Sequence, residues 1–148
     1  MTEELEEGEL PALLSQETRN RIVQMVLGHP EHLMSMAEIT EMVGVNPSTA
    51  KYQVRNLIDG EILEMYIHRP NRLEQRTPVQ FYGFSELGVR ILHEHNLLSS
   101  LPEMRARYMQ IEKSETTLRH ERAPRPELPA IVTRALEYYG DEVEKCRR

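Results

Sequence analysis

The side chains best suited to bind a ligand lie between residues 47 and 55. Ser48, Tyr52 and Arg55 are spaced three or four residues apart, so they share one face of a predicted helix. Small hydroxyls and free N–H groups at a helix N-terminus bind phosphate, and arginine binds guanine through two hydrogen bonds. This combination predicts contact with nucleic acid. The candidate residues are Pro47, Ser48, Thr49, Lys51, Tyr52 and Arg55.

Two short helices joined by a tight turn are predicted over residues 35–60. Ser35 and Glu38 have the spacing of a capping box, which starts the first helix. Gly44 is suited to end that helix, and Asn46 is suited to cap the next one. The pattern is that of a helix-turn-helix, which directs the N-terminus of its second helix into a DNA groove. An ordinary helical hairpin with a solvated polar face is the alternative.

The opposite face of the second helix is apolar. Ala50, Val54 and Leu57 recur at three- and four-residue spacing, followed by Ile58, so we expect this face to lie in the core. The polar candidates are then left facing solvent, where DNA can reach them.

A β-hairpin is predicted directly after these helices. Residues 61–68 and 79–84 are rich in strand-forming side chains, and the segment between them is polar and turn-rich. A hairpin in this position is a wing beside a helix-turn-helix. Arg69, Arg72 and Arg76 are candidates to contact a minor groove or phosphates. The alternative is that these arginines are solvent-exposed loop residues without a role in binding.

An apolar stripe at heptad-like spacing follows Pro102, interrupted by Glu115. Such a stripe must be buried, and we expect it to pack against a second copy; packing within the same chain is the alternative. A last helix, predicted to start at Pro129, carries another apolar face. The candidate dimer-interface residues are Met104, Tyr108, Ile111, Leu118, Val132, Leu136 and Tyr139.

The tract Phe81-Tyr-Gly-Phe-Ser-Glu-Leu-Gly88, together with residues 46–57, resembles winged helix-turn-helix transcription regulators of the ArsR/MarR/PadR type. The chain is more closely similar to the RosR-type regulators of haloarchaea. The matching tracts are Asn20-Arg-Ile-Val, His29-Pro-Glu-His32, Phe81-Tyr-Gly-Phe84, Glu112-Lys113 and Glu121-Arg-Ala-Pro-Arg-Pro126. The resemblance implies a homodimeric, sequence-specific DNA-binding regulator of a halophilic archaeon, with a role in stress response.

These patterns predict a mainly α fold with a small β-hairpin wing, divided into three parts. Residues 1–14 are expected to be an acidic, flexible tail, since five of the first ten residues are glutamates. Residues 15–98 are expected to form the winged helix-turn-helix domain. Residues 99–148 are expected to form a helical dimerisation region with a Pro-rich linker at 119–129.

Composition sets limits on the function. The 148 residues carry a net charge of −6, so any DNA-binding surface depends on how charge is distributed. The single cysteine, Cys146, excludes an internal disulfide. No apolar run long enough to span a membrane and no signal sequence are found in the sequence, which predicts a cytoplasmic protein. The sequence has no Gly-rich phosphate loop either, and no cofactor is expected.

The sequence contains no catalytic motif, so an enzyme is not expected. The pairs His29/His32 and His93/His95 are the remaining candidates for metal binding, although a closed site needs further ligands. Two alternatives to DNA regulation alone stay open. One is a winged-helix module that binds another protein, and the other is a repressor that responds to a metal or ligand.

Overall fold

Helices dominate the part of the chain that the structure, a computed structural model, describes: residues 16–69, 79–122 and 124–147. The helices are α1 (Glu17–Gly28), α2 (Met36–Val43), α3 (Pro47–Asp59), α4 (Glu86–Glu94), α5 (Leu101–Gln110), α6 (Glu115–Arg122) and α7 (Ala130–Arg147), with a 3-10 turn at Leu97–Ser100. The strands are β1 (Leu33–Ser35), β2 (Leu63–His68) and β3 (Val79–Phe84). This architecture confirms the predicted mainly helical fold with a small hairpin. The predicted acidic tail lies outside the described residues.

The strands form one antiparallel sheet in the order β1–β3–β2. The hairpin of β2 and β3 is the predicted one, and it pairs Met65 with Tyr82. On its other side Tyr82 pairs with Met34 of β1, a strand that the sequence does not predict. The three residues of β1 are all buried, so they lack the alternation that marks a half-buried strand.

Side-chain caps fix α2 and α3 as predicted. The Ser35 hydroxyl accepts a hydrogen bond from the N–H of Glu38, whose carboxylate accepts one from the N–H of Ser35. Gly44 has a φ of 77°, a left-handed conformation that glycine adopts without strain. Asn46 accepts the N–H of Thr49 at 2.8 Å. A cap of this kind contributes about 1 kcal/mol, so the turn between the two helices is set locally.

The apolar face of α3 lies in the hydrophobic core, as predicted. Ala50, Val54 and Leu57 are buried, and Ile58 is partly buried. They belong to one apolar cluster with side chains from α1, α2 and the sheet. Burial of a side chain such as Leu57 stabilises the fold by about 1.5–3 kcal/mol. The core therefore fixes which face of α3 points outward.

Helices α1 and α5 approach each other closely at Gly28. A Cβ atom at this position would clash with the carbonyl oxygen of Met104, so a larger residue does not fit. The close approach places Met104 and Tyr108 in the core, where Tyr108 is completely buried. The Tyr108 hydroxyl also donates to Glu121 Oε1 of α6 at 3.2 Å.

The apolar stripe after Pro102 is divided between two helices. α5 ends at Gln110, and Ser114 starts α6 by accepting the N–H of Thr117. The predicted Pro-rich linker also differs in extent, because α6 continues to Arg122 and only residues 124–129 are non-helical. The heptad-like stripe therefore does not continue along one helix in these residues.

Four of the predicted dimer-interface residues are buried inside the chain: Met104, Tyr108, Val132 and Leu136, with exposed fractions of 6% or less. The physical reason is that α1 packs on α5, while α4 and the 3-10 turn pack on α7. For these four residues the structure shows the alternative, packing within the same chain. Ile111, Leu118 and Tyr139 are partly buried, and their contact with a second copy stays a prediction.

Candidate nucleic-acid interface

The outward face of α3 is polar and accessible. Ser48, Lys51, Tyr52 and Arg55 are exposed, and Thr49 is partly exposed. Tyr52 is 64% exposed, so its side chain is accessible to a ligand. The structure therefore brings the predicted contact residues onto one continuous surface.

The N-terminus of α3 is less available to a phosphate than the sequence suggests. Pro47 occupies the first turn and has no N–H group. Asn46 already accepts the N–H of Thr49. The hydroxyl of Ser48 and the cations of Lys51 and Arg55 are then the main groups for binding an anion. Neither cation forms an ion pair with another residue in the described ranges.

The hydroxyl of Tyr66 links the two strands of the wing, β2 and β3. This hydroxyl contacts the carbonyl oxygen of Phe84 at 2.9 Å and Glu64 Oε2 at 3.0 Å. Burial and the adjacent Glu64 raise the pKa of Tyr66, so it stays a donor. Arg69 is exposed where β2 ends. Arg72 and Arg76, the other predicted wing contacts, lie outside the described residues.

The structure contains a buried polar cluster at the start of α2 that the sequence did not predict. Glu38 is completely buried, and its Oε2 lies 3.2 Å from Nε2 of His29. Its Oε1 lies 3.2 Å from Nη2 of Arg125. Burial pushes the pKa of Glu38 upward, but the hydrogen bond to His29 and the charge of Arg125 outweigh it and lower that pKa. Glu38 is therefore a charged core residue as well as a capping residue.

Arg125 attaches the non-helical segment 124–129 to this cluster. Its guanidinium donates to the carbonyl oxygens of Leu33, His120 and Glu121 at 2.7–2.9 Å. Its Nε also lies 3.1 Å from Glu31 Oε2. Since it contacts several elements at once, Arg125 holds the C-terminal region against the start of α2.

A second polar contact joins α2 to α6. Glu41 accepts hydrogen bonds from the N–H of Ser114 at 3.1 Å and from its hydroxyl at 2.8 Å, and also from the hydroxyl of Thr117. The hydrogen bonds from Ser114 and Thr117 lower the pKa of Glu41. Ser114, a residue type that often caps helix N-termini, was the available sequence signal for the start of α6.

The two histidines of each predicted pair have different surroundings, and they do not form a shared site. His29 contacts Glu38, whereas burial lowers the pKa of His32 to about 4, which keeps it neutral at pH 7. His93 stacks on Tyr139, with ring centroids 3.9 Å apart, and His95 follows the end of α4. Among the described residues, no group of three or more side chains is placed to bind a metal ion.

A solved protein from Halomicrobium mukohataei has a similar structure, and it is described as having a GntR superfamily winged-helix-turn-helix domain. The TM-score is 0.69 over 92% of this chain and 99% of that chain, at 21% sequence identity. This chain has a winged helix-turn-helix fold. No protein-family model and no curated protein matches the sequence.

The fold prediction is confirmed by this likeness. The finer assignment to the ArsR/MarR/PadR type, with RosR-type regulators closest, stays a prediction, because the likeness extends to the fold alone. In the described ranges, moreover, no helix has the length and apolar character needed to cross a bilayer.

Proposed function

We propose that this protein is a sequence-specific DNA-binding transcription regulator. The observation that carries the proposal is the exposed face of α3, where Tyr52, Lys51 and Arg55 are held outward by the buried face of the same helix. A winged helix-turn-helix presents this helix to the major groove. The proposal includes action in the cytoplasm, which the sequence predicts, and a role in the stress response of a halophilic archaeon, which the family resemblance implies.

Different residues are proposed to carry affinity and sequence choice. Arg55 and Tyr52 contact base edges in the major groove, whereas Ser48 and Lys51 contact phosphates at the start of the helix. Arg69 contacts the backbone or minor groove beside the wing, together with the predicted contacts Arg72 and Arg76. With a net charge of −6, the protein as a whole is not attracted to the negative DNA backbone. Binding therefore depends on these few phosphate and base contacts.

The regulator is proposed to act as a homodimer through the outward face of α7. Ile131 is 53% exposed and Tyr138 is 62% exposed. Ala135, which is partly buried against the core, lies between them at the edge of this face. In an antiparallel pair of α7 helices, Ile131 of one copy would lie opposite Tyr138 of the other, with the small Ala135 side chains at the crossing. We therefore centre the proposed interface on this face, because four of the residues predicted for the interface from the sequence are buried within the chain.

Size-exclusion chromatography with light scattering tests the dimer. Tyr138→Glu should shift the protein from twice the mass of the chain toward the single-chain mass, because the charge would be buried in the interface. Met109→Glu is the matched control, since Met109 is 66% exposed on α5, outside this face. A single-chain mass for the unaltered protein would contradict the proposed dimer.

Titration against a duplex from the gene's own promoter, beside a scrambled duplex at several salt concentrations, tests the DNA-binding proposal. Tighter binding to the promoter at every salt concentration is the expected result. Equal or absent binding would instead favour a winged-helix module that binds another protein, which the negative net charge also favours.

A further inference from the structure

A cleft of about 1220 Å³ lies between the C-terminal region and the segment that precedes α2. Its walls come from residues 30–33, the first turns of α5, residues 124–128 and the first turns of α7. No residue of α3 lines it, so it is separate from the proposed DNA-contact face. Pockets that bind small ligands in proteins are typically about 300–1,000 Å³, and this cleft is large enough for such a ligand.

The walls of the cleft combine apolar and charged residues, and prolines make parts of them stiff. Four prolines contribute to them, and each fixes its own backbone φ angle. These are Pro30, Pro102, Pro124 and Pro126. Arg125 also fixes the segment 124–128 through its hydrogen bonds to three carbonyl groups. Of the four leucines that line the cleft, Leu128 is partly exposed, whereas Leu33, Leu101 and Leu136 are buried in the core. A preformed site of this kind binds an apolar ligand with little cost in ordering itself.

Charges of both signs line the cleft. Arg105, Arg134, Glu127 and Glu137 are exposed, and none of them forms a hydrogen bond or ion pair with another residue in the described ranges. In contrast, the remaining acid of the wall, Glu31, is paired with Arg125. A simple anion or cation would meet like charges in this cleft, whereas a ligand with both charges would find an opposite charge for each.

We propose that the cleft binds a short peptide with apolar side chains and free termini. Arg105 and Arg134 together bind the peptide carboxylate, and Glu127 and Glu137 together bind its ammonium group. The accessible apolar residues of the wall, Pro30, Pro124 and Leu128, contact the apolar side chains of the peptide. This site is independent of the proposed DNA binding.

Isothermal titration calorimetry of the full chain with trileucine tests the proposal. Two blocked forms, N-acetyl-trileucine and trileucine amide, each remove one terminal charge. Trileucine should bind, and each blocked form should bind at least tenfold more weakly. Equal binding of the acetylated form would show an anion site, and equal binding of the amide a cation site; either result overturns the proposal. Absence of binding by all three peptides also overturns it.

Substitutions locate the binding in the cleft. Arg105→Ala and Glu137→Gln should each weaken trileucine binding by about tenfold or more. Arg107→Ala is the matched control, because Arg107 is exposed on the same helix but does not line the cleft. Equal effects of Arg105→Ala and Arg107→Ala would overturn the assignment. Arg55→Ala should leave trileucine binding unchanged, so failure of the DNA proposal and failure of this one are distinguishable.

Discussion

Helices α2 and α3 are neighbours in one helix-turn-helix, yet they use their charged residues in opposite ways. Glu38 and Glu41 of α2 are bound by groups from the C-terminal region of the same chain. Lys51 and Arg55 of α3 face solvent without an ion pair to a described residue. Charged residues that are paired within the chain therefore stabilise the fold, whereas charged residues without a partner in the chain are available to bind a ligand.

Removal of the buried charge on α2 should have the largest effect. Glu38→Ala removes the carboxylate that His29 contacts and the buried one of the two carboxylates paired with Arg125, and it also removes half of the capping box. We therefore expect a loss of about 3–5 kcal/mol in the free energy of unfolding. Urea denaturation measures this loss. Glu112→Ala is the control, because Glu112 is exposed and forms no hydrogen bond or ion pair with a described residue. Equal stability of the two variants would contradict the role of the cluster.

Protonation of the buried histidine beside this cluster should have the next largest effect. The pKa of His32 is lowered to about 4 by burial, whereas an unfolded histidine has a pKa of about 6.5. Between these values the unfolded chain binds more protons, so the free energy of unfolding falls as the pH drops from about 6.5 to 4, by up to about 3 kcal/mol.

We propose to measure denaturation at several pH values for the unaltered protein and for His32→Gln. The comparison separates the effect of His32 from the loss of stability that follows protonation of the carboxylates. The stability of His32→Gln should depend less on pH between 6.5 and 4. The stabilisation from Glu38, whose pKa is lowered, is lost only as the pH falls below about 4.3, the ordinary value for an unfolded glutamate. Identical pH profiles above pH 5 would argue against a neutral buried His32.

On α3, the expected effects are on DNA binding and not on stability. Arg55→Ala should reduce the preference for the promoter over a scrambled duplex by about 1–3 kcal/mol, since it removes a base contact. Lys51→Ala should weaken binding to both duplexes alike and reduce the salt dependence by about one unit of log–log slope. Fluorescence anisotropy at several salt concentrations measures both quantities. The same uniform loss for the two variants would contradict the proposed division.

The contrast between the helices also explains how much the sequence could predict. The caps at Ser35, Gly44 and Asn46 depend on neighbours within three or four residues, and the outward face of α3 follows from helical periodicity. Both are local signals, and both are confirmed. Arg125, by contrast, contacts Leu33, 92 positions earlier in the chain, and no local pattern marks that contact.

The apolar stripe shows the same limit. Its spacing indicates that Met104 and Tyr108 must be buried, but spacing does not tell what covers them. The answer depends on the close approach of α5 to α1 at Gly28, which is a tertiary contact. Sequence therefore identifies the faces that need a partner, and the three-dimensional structure shows whether the chain itself supplies that partner.

The smallest effect is expected where a charge of α2 is satisfied at the surface. Glu41→Gln weakens the hydrogen bonds to Ser114 and Thr117, but exposed contacts contribute little to global stability. We expect an unchanged melting temperature and faster amide hydrogen exchange confined to α6, because this carboxylate holds the start of that helix. Glu112→Gln, just before α6, should leave the exchange unchanged. Faster exchange throughout α2 and α3 would show instead that Glu41 supports the whole helix-turn-helix, and the distinction between surface and buried charges on α2 would then no longer hold.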